Sequence, residues 1–434
     1  MFGYYLDLAL RSLKRNRVLT ALMVLAIAVG IGASMTTLTV VHLLSGDPMP
    51  GKSSVLFFPQ VDPENPVTLS LHRNPWPAMD YRSAVDIWSS HRADRQAILT
   101  SSSVKVRLPD SGQPPLMLSM LSTSTDFFPM FDVPFQYGSG WSADDDASRA
   151  RVAVISADLN QKLFGGANSV GRILRVRDAD MRIVGVLKPW RPTPLFYDPW
   201  SQNFSKSEDV FAPFSSSLEI NKGNFQAYTC WHVPPSMGNL QDADCVWVWV
   251  WAELDSPAKV RDYARFVDDY ANTQKSLGRF AVGSEHARLH DLMTWLTDRG
   301  QVPDDVRLQA WLASAFLVIC LFNAVGLLLA KFLRRSGEIG VRRALGASRG
   351  AIFAQCLVEA GLIGLLGGFF GWLLTLVGLW LVRRQPVDYA HLAHLDTAMF
   401  FVTFAMAIGA SLIAGLIPAL RASRVVPGWQ LKAL

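Results

Sequence analysis

Charge is what this chain has least of. Of its 434 residues, 18% are charged and 50% hydrophobic, whereas a soluble domain carries about a quarter charged. Asp, Glu, Lys and Arg are missing altogether from four windows: 18–44 (27 residues), 308–330 (23), 360–382 (23) and 397–420 (24). Each exceeds the roughly 20 residues that cross a hydrocarbon core about 30 Å thick, so an ordinary soluble fold is excluded. The same lack argues against a proton- or ion-coupled transporter, which normally keeps an ionisable side chain in a span. Arg11, Lys14, Arg15 and Arg17 precede the first window. That window is far longer than the 7–15 apolar residues of a cleavable signal, and it reads as a retained anchor.

Cysteine is also scarce. Of the four, Cys320 lies in a span and Cys356 just before one, while Cys230 and Cys245 share the long segment between the first two spans. In an oxidising compartment that pair reads as a disulfide, the alternative being two free buried thiols. Enzymatic constellations are missing too: no Ser/His/Asp or Cys/His arrangement has supporting local sequence. His286 and His290 stand four apart on an expected helix, and His391, His394 and Asp396 crowd a short loop. Each group offers few metal ligands, and all read as solvated histidines. The run Gly46-Asp47-Pro48-Met49-Pro50-Gly51-Lys52-Ser53 fits the spacing of a phosphate-binding loop. Pro48 and Pro50 remove two of its amide donors, and a strand rather than a helix is expected next, so nucleotide binding is rejected. No nucleic-acid partner is indicated.

What charge there is lies unevenly. Residues 1–17, 331–359 and 421–434 hold thirteen basic residues against three acidic ones, and the remainder is net negative. The positive-inside bias places both termini and the 331–359 link in the cytoplasm. Residues 45–307 and the 383–396 loop are then outside.

At 263 residues the outer segment is long enough to bury a core of its own, and two is the expectation. Strands are expected at 54–58, 104–108, 116–121, 152–155, 183–186 and 246–251, with helices at 79–93, 156–163 and 258–275. The VWVWVW run at 246–251 alternates Trp with Val and reads as core packing. Long loops are expected at 190–217 and 233–239, where Phe196, Tyr197, Trp200 and Phe204 read as exposed apolar residues. The pattern suggests an α+β domain interrupted by a second one.

Within the spans, Asn323 is expected to hydrogen-bond a neighbouring helix. Gly364, Gly367, Gly368 and Gly371 form two overlapping G-x-x-x-G pairs that mark a close helix contact. In the link, 338–345 reads as two helical turns ended by Gly346, with Ser348 capping the helix that enters the third span. Ile339, Val341 and Leu345 supply apolar contacts while Arg342 and Arg343 add charge. Such a short basic helix fits docking on a cytoplasmic partner, or alternatively rest on anionic lipid.

These residues resemble a family. "GEIGVRRALGAS" followed by the glycine-rich third span is similar to the MacB/FtsX type of ABC transporter permease, whose link reads E-I-G-x-R-x-A-L-G-A. "ALRSLKRNR" (9–17), "STDFFPMF" (124–131), "LFGGANSVGR" (163–172), "RIVGVL" (182–187) and "LIPALRASRVVP" (416–427) carry the likeness along the chain.

The resemblance implies an α-helical membrane protein with four transmembrane helices and a large α+β extracytoplasmic domain. That domain is a Porter-like unit (52–118 and 241–300) with a Sabre-like insert (119–240). It implies a non-catalytic subunit without cofactors of its own, sited in the bacterial inner membrane. Partners would be an ABC ATPase dimer that binds ATP and Mg, a second permease, identical or paralogous, and possibly a periplasmic adaptor and outer-membrane channel. The coupling residues would be Glu338, Ile339, Gly340, Val341, Arg342, Arg343, Leu345 and Gly346. MacB itself fuses its ATPase at the N-terminus; with seventeen residues before the first span, the expectation here is an ATPase on another chain. Efflux of peptides, antibiotics or similar small molecules is the first expectation, and FtsX-like regulation or lipoprotein release the alternative.

Overall fold

The computed structural model describes residues 2–64, 74–109, 114–201, 204–234, 236, 238–387, 389–395 and 397–424. The chain divides into two compact units, Gly46–Gln301 and the remainder, Met1–Ser45 with Val302–Leu434.

In the second of these, α1 (Phe2–Arg15) and α2 (Arg17–Leu44) open the chain. The charge-free windows fold as helices because lipid leaves polar backbone no other partner, and the last does so although Pro418 removes one donor from its ladder. Among the described residues four helices are long and apolar enough to cross a membrane, and α2 is the first.

The outer unit, Gly46–Gln301, has helices α3 (Tyr81–Trp88), α4 (Phe127–Met130), α5 (Ala143–Ala147), α6 (Ala157–Phe164), α7 (Phe214–Asn221), α8 (Pro257–Ser276) and α9 (Leu292–Asp298). Its strands are β1 (Leu56–Gln60), β2 (Met79–Asp80), β3 (Arg95–Arg107), β4 (Leu116–Thr123), β5 (Phe135–Gly138), β6 (Val152–Ile155), β7 (Ile173–Val176), β8 (Ala179–Leu187), β9 (Val210–Pro213), β10 (Thr229–Cys230), β11 (Cys245–Glu253) and β12 (Arg288–Asp291). They join in one sheet whose main path runs β12-β1-β11-β3-β4-β9-β6-β8-β5. The 118/119 boundary expected between host and insert falls inside β4, which pairs along its length with β3. The two parts therefore share a sheet.

β11 is buried from end to end, because both of its faces are covered. Val248, Val250 and Ala252 meet Tyr263, Val267 and Ala271 of α8 in one apolar cluster, and Trp249 and Trp251 join Phe58, Phe127, Tyr197 and Trp295 in another. Trp247 breaks the expected alternation. It stacks on Phe225 and Tyr81 in the α8-side cluster, at the register shift where Val246 and Val248 pair with consecutive residues of β2. A bulge inserts one extra residue and re-aims a side chain.

Two loop expectations are corrected. Residues 190–217 contain β9 and the start of α7, and Phe196, Tyr197 and Phe204 are core residues. The Tyr197 carbonyl accepts from Trp249 Nε1 at 2.6 Å and Trp251 Nε1 at 3.2 Å, so the loop is pulled inward by donors that need partners when buried. Beneath it the Tyr197 hydroxyl donates to Glu208 Oε2 at 2.6 Å. Burial, and then the charge of Asp198, push the Glu208 carboxyl up to about 8.

The remaining chain is α10 (Asp304–Arg334), α11 (Ser336–Ala344), α12 (Arg349–Val382) and α13 (Thr397–Ser423). Helices α10, α12 and α13 complete the four of spanning length. α12 begins eleven residues before its charge-free window, so its first three turns carry polar side chains.

Candidate functional site

The glycines of α12 sort onto two faces. A Cβ on Gly367 would lie 2.6 Å from Ile27 Cγ2, and one on Gly371 2.9 Å from Ile31 Cγ2, both on α2. Gly364 and Gly368 instead abut Ser411 and Ala407 of α13. The two overlapping pairs thus serve two neighbours, since residues three and four apart straddle adjacent ridges. Small residues elsewhere complete the contacts without a sequence pattern to announce them: Gly30 meets Cys320 of α10, and Gly415 meets Ala360.

Asn323 does not turn to a neighbouring helix of its own chain. It is exposed, because the buried stripe of α10 runs through Cys320, Ala324, Leu328 and Lys331 at four- and three-residue steps. Asn323 lies one residue off that stripe.

At one end of the bundle the chain builds a buried polar cluster that the sequence reading did not contain. Lys331 is 0% and Glu359 1% exposed, and Lys331 Nζ sits 2.5 Å from Glu359 Oε1. Arg335 Nη1 donates to Glu359 Oε2 at 3.2 Å and to Ser12 Oγ at 2.6 Å, while Ser12 Oγ donates to Glu359 Oε1 at 2.5 Å. Three elements meet there, α1 through Ser12, α10 through Lys331 and α12 through Glu359, together with Arg335 at the joint between α10 and α11. Breaking an isolated buried pair strands a bare charge at a cost of about 3–5 kcal/mol; here Glu359 has a second cation in Arg335, which limits the loss when Lys331 is removed. The one available signal was Lys331 and Glu359 standing just outside the apolar windows, and charge there reads first as membrane flank.

α11 grows from this cluster. Glu338 accepts from Arg335 Nε at 3.2 Å and Nη2 at 3.1 Å, and from Arg342 Nη2 at 3.2 Å. The Arg335 hydrogen bond holds the Glu338 carboxyl below its ordinary value, against the opposing effect of partial burial. Burial would lower the Arg335 guanidinium, but its bonds to Glu338 and the charge of Glu359 leave it raised. Arg342 Nη1 also donates to Gln355 Oε1 at 3.0 Å, and Arg343 Nη1 to the Ser423 carbonyl at 3.1 Å. Gly346 has φ +99°, a left-handed conformation that costs a side chain about 1–2 kcal/mol. It lets the Ala347 N–H reach back to the Arg342 carbonyl at 3.1 Å. Ser348 Oγ then accepts from the Ala351 N–H at 3.1 Å and starts α12.

The coupling residues named from sequence therefore divide. Ile339 and Gly340 are buried, and Ile339 packs with Phe332 and Ile352. Glu338, Arg342 and Arg343 are tied to the chain itself. Val341 (48% exposed) and Leu345 (84%) face outward, as do Gly346 and the basic residues Arg334 and Arg349, which sequence reasoning did not single out. The result is an apolar knob flanked by two cations.

Elsewhere, Cys230 and Cys245 are disulfide-bonded across β10 and β11, directly opposite in register; Cys320 and Cys356 are free and buried. The phosphate-loop look-alike spends its lysine on the carbonyls of Pro129 and Met130 and on Asp132, and β1 rather than a helix follows. His286 and His290 are not on a helix. His286 closes a short 3-10 turn and faces Asp62 at 3.1 Å, and His290 lies in β12 and faces Asp298 at 3.3 Å. Asp396 lies outside the described residues. Among the described residues no cluster of three His, Cys, Asp or Glu is placed to hold a metal.

Comparison with known proteins gives the same architecture. Residues 20–262 match the family described as MacB-like periplasmic core domain, and residues 311–427 the FtsX-like permease C-terminal family. The chain is 25% identical over 301 residues to the macrolide export ATP-binding/permease protein MacB of Azoarcus sp. (strain BH72), an alignment covering 68% of this chain and 39% of that protein. Against MacB of Wolinella succinogenes it is 23% identical, over 97% of this chain and 59% of the relative. Against the uncharacterized ABC transporter permease YknZ of Bacillus subtilis (strain 168) it is 24% identical, over 67% and 64%. The chain thus spans about two fifths to two thirds of the length of these relatives.

Proposed function

Because the chain belongs to the MacB-like family, with an FtsX-like permease part at its C-terminal end, we propose that it is the permease of an ABC exporter. In this reading it lies in the bacterial inner membrane with both termini cytoplasmic, as the basic flanks favour, and Gly46–Gln301 is periplasmic. It binds no cofactor; ATP and Mg belong to a dimeric ABC ATPase that docks on α11. A second permease, identical or paralogous, packs beside it, and exposed Asn323 and Phe322 on α10 give it a polar and an apolar contact. A periplasmic adaptor and outer-membrane channel complete a pump for peptides, antibiotics or similar small molecules, the relatives' printed names including macrolide export. ATP-driven motion of the ATPase is passed to α10 and α12 as mechanical displacement.

The observation that carries this reading is the knob of Val341 and Leu345, held out by a helix whose own arginines are engaged inward. An amphipathic helix that rested on lipid would turn its basic residues to the headgroups. Here Arg342 and Arg343 bond the chain. The knob also supplies the cleaner test, since reversing Arg342 and Arg343 would disturb α11 itself. Val341→Asp with Leu345→Asp is expected to reduce ATPase co-purification and permease-stimulated hydrolysis at least about tenfold, the effect of losing roughly 1.4 kcal/mol of docking, with the melting temperature unchanged. Undiminished co-purification and hydrolysis would remove α11 from the docking role.

A further inference from the structure

The outer unit holds a cavity of about 580 Å³, within the range that takes a drug-sized ligand. Four carboxylates line it, Glu64, Asp80, Asp242 and Asp244, against the guanidiniums of Arg82 and Arg279. Arg279 is already spent on Asp80, its Nη2 lying 3.1–3.2 Å from both oxygens. Glu64 differs from the others. It is 1% exposed, and among the described residues neither of its carboxylate oxygens has a hydrogen-bond partner. Its neighbour Asp62 does not neutralise it, being itself an acid, buried and turned to His286. A buried carboxylate without a partner is among the most costly groups a fold can carry, and a cavity is where a missing counter-charge can enter.

The walls are built to hold shape. Trp231 lies half-buried on one side, edge-on to Trp76 with ring centroids 6.4 Å apart. Next to it, the Cys230–Cys245 disulfide clamps the two strands that lead into Trp231 and out of Asp244. Asp242 and Asp244 are exposed at the rim. Carboxylates with an aromatic wall suit an organic cation rather than a hard metal ion, which needs several oxygens converging at one point.

We propose that this cavity binds an ammonium or guanidinium group carried on a small apolar body, with Glu64 as its buried counter-ion and the Trp231 face beside it. The proposal rests on the outer unit alone and stands or falls separately from the permease reading, because binding is measured without any ATPase.

The test uses the full chain in detergent with three ligands of one shape: tyramine (cationic), tyrosol (neutral) and 4-hydroxyphenylpropionate (anionic). Titration calorimetry should show saturable tyramine binding, with tyrosol at least about tenfold weaker and the anion not bound, as expected for a desolvated charge pair. Glu64→Gln should weaken tyramine at least about tenfold and bring it level with tyrosol, at an equal or higher melting temperature in the absence of ligand. If Glu64→Gln melts lower, Asp242→Asn on the rim carries the comparison and must weaken tyramine selectively. Equal affinity for tyramine and tyrosol, tyramine binding untouched by Glu64→Gln, or calcium displacing tyramine at the same site would each overturn the proposal.

Discussion

Glu208 is buried under the sheet with the Tyr197 hydroxyl on one of its oxygens, and its carboxyl stands at about 8 against an ordinary 4.5. The folded chain therefore binds a proton there that the unfolded chain releases above its lower value. Stability from this group is complete below about pH 4.5 and is lost as pH rises toward 8, at up to about 1.4 kcal/mol per pH unit. Asp146, raised by burial to about 6, acts with the same sign but titrates lower. Thermal unfolding of the full chain between pH 6 and 8 should consequently fall with pH, and Glu208→Gln should flatten that slope while raising the melting temperature at pH 8. An unchanged slope in the variant would mean the carboxyl is charged in the fold. The residue scale was also the least legible in sequence. Glu208 reads as one more acid in a polar loop, because its burial is imposed by Trp249 and Trp251 more than forty residues away.

Among the elements, α12 was legible in composition and only half legible in contacts. Its glycine spacing announces close approach, but which partner each glycine meets depends on where α2 and α13 lie. The contacts predict a sharp contrast. Gly367→Leu must push against Ile27, whose Cγ2 would be 2.6 Å from the new Cβ, and overpacking of this kind costs about 1–3 kcal/mol or more. Gly361→Ala, with Leu412 Cδ2 its nearest neighbour at 3.8 Å, should be neutral within about 0.5 kcal/mol. Steric-trap or detergent unfolding of the two variants separates them; equal stability would show that the α2–α12 contact is slack. β11 teaches the same lesson in the outer unit: period 2 revealed the strand, whereas the bulge that diverts Trp247 arises from pairing with β2.

For the molecule as a whole, the Ser12–Lys331–Arg335–Glu359 cluster ties α11 to the bundle. If it transmits motion, its charge should matter for coupling more than for folding. Lys331→Met alone should destabilise, because Glu359 loses its nearer cation, but by less than the about 3–5 kcal/mol of a pair broken outright, since Arg335 and Ser12 stay on the carboxylate. Lys331→Met with Glu359→Leu should recover most of that stability, since apolar replacement of a whole buried pair is often neutral. On the proposed permease role, the double variant should still bind the ATPase yet lose most stimulated hydrolysis. Full stimulation in a stable double variant would make the cluster a purely structural tie.

Four membrane-length helices, a long segment between the first two, and a short basic helix ended by Gly346 were set by sequence alone. Each depends on local rules: runs without charge, the sign of flanking charge, and a glycine at a left-handed turn. Only the tertiary structure decided that Asn323 faces outward, that Phe196 and Tyr197 are core, that Arg342 and Arg343 are engaged while Val341 and Leu345 are free, and that Glu64 stands unpaired in a cavity. These are facts about which distant segments meet, and burial and ion pairing are properties of that meeting, which no single stretch of chain contains.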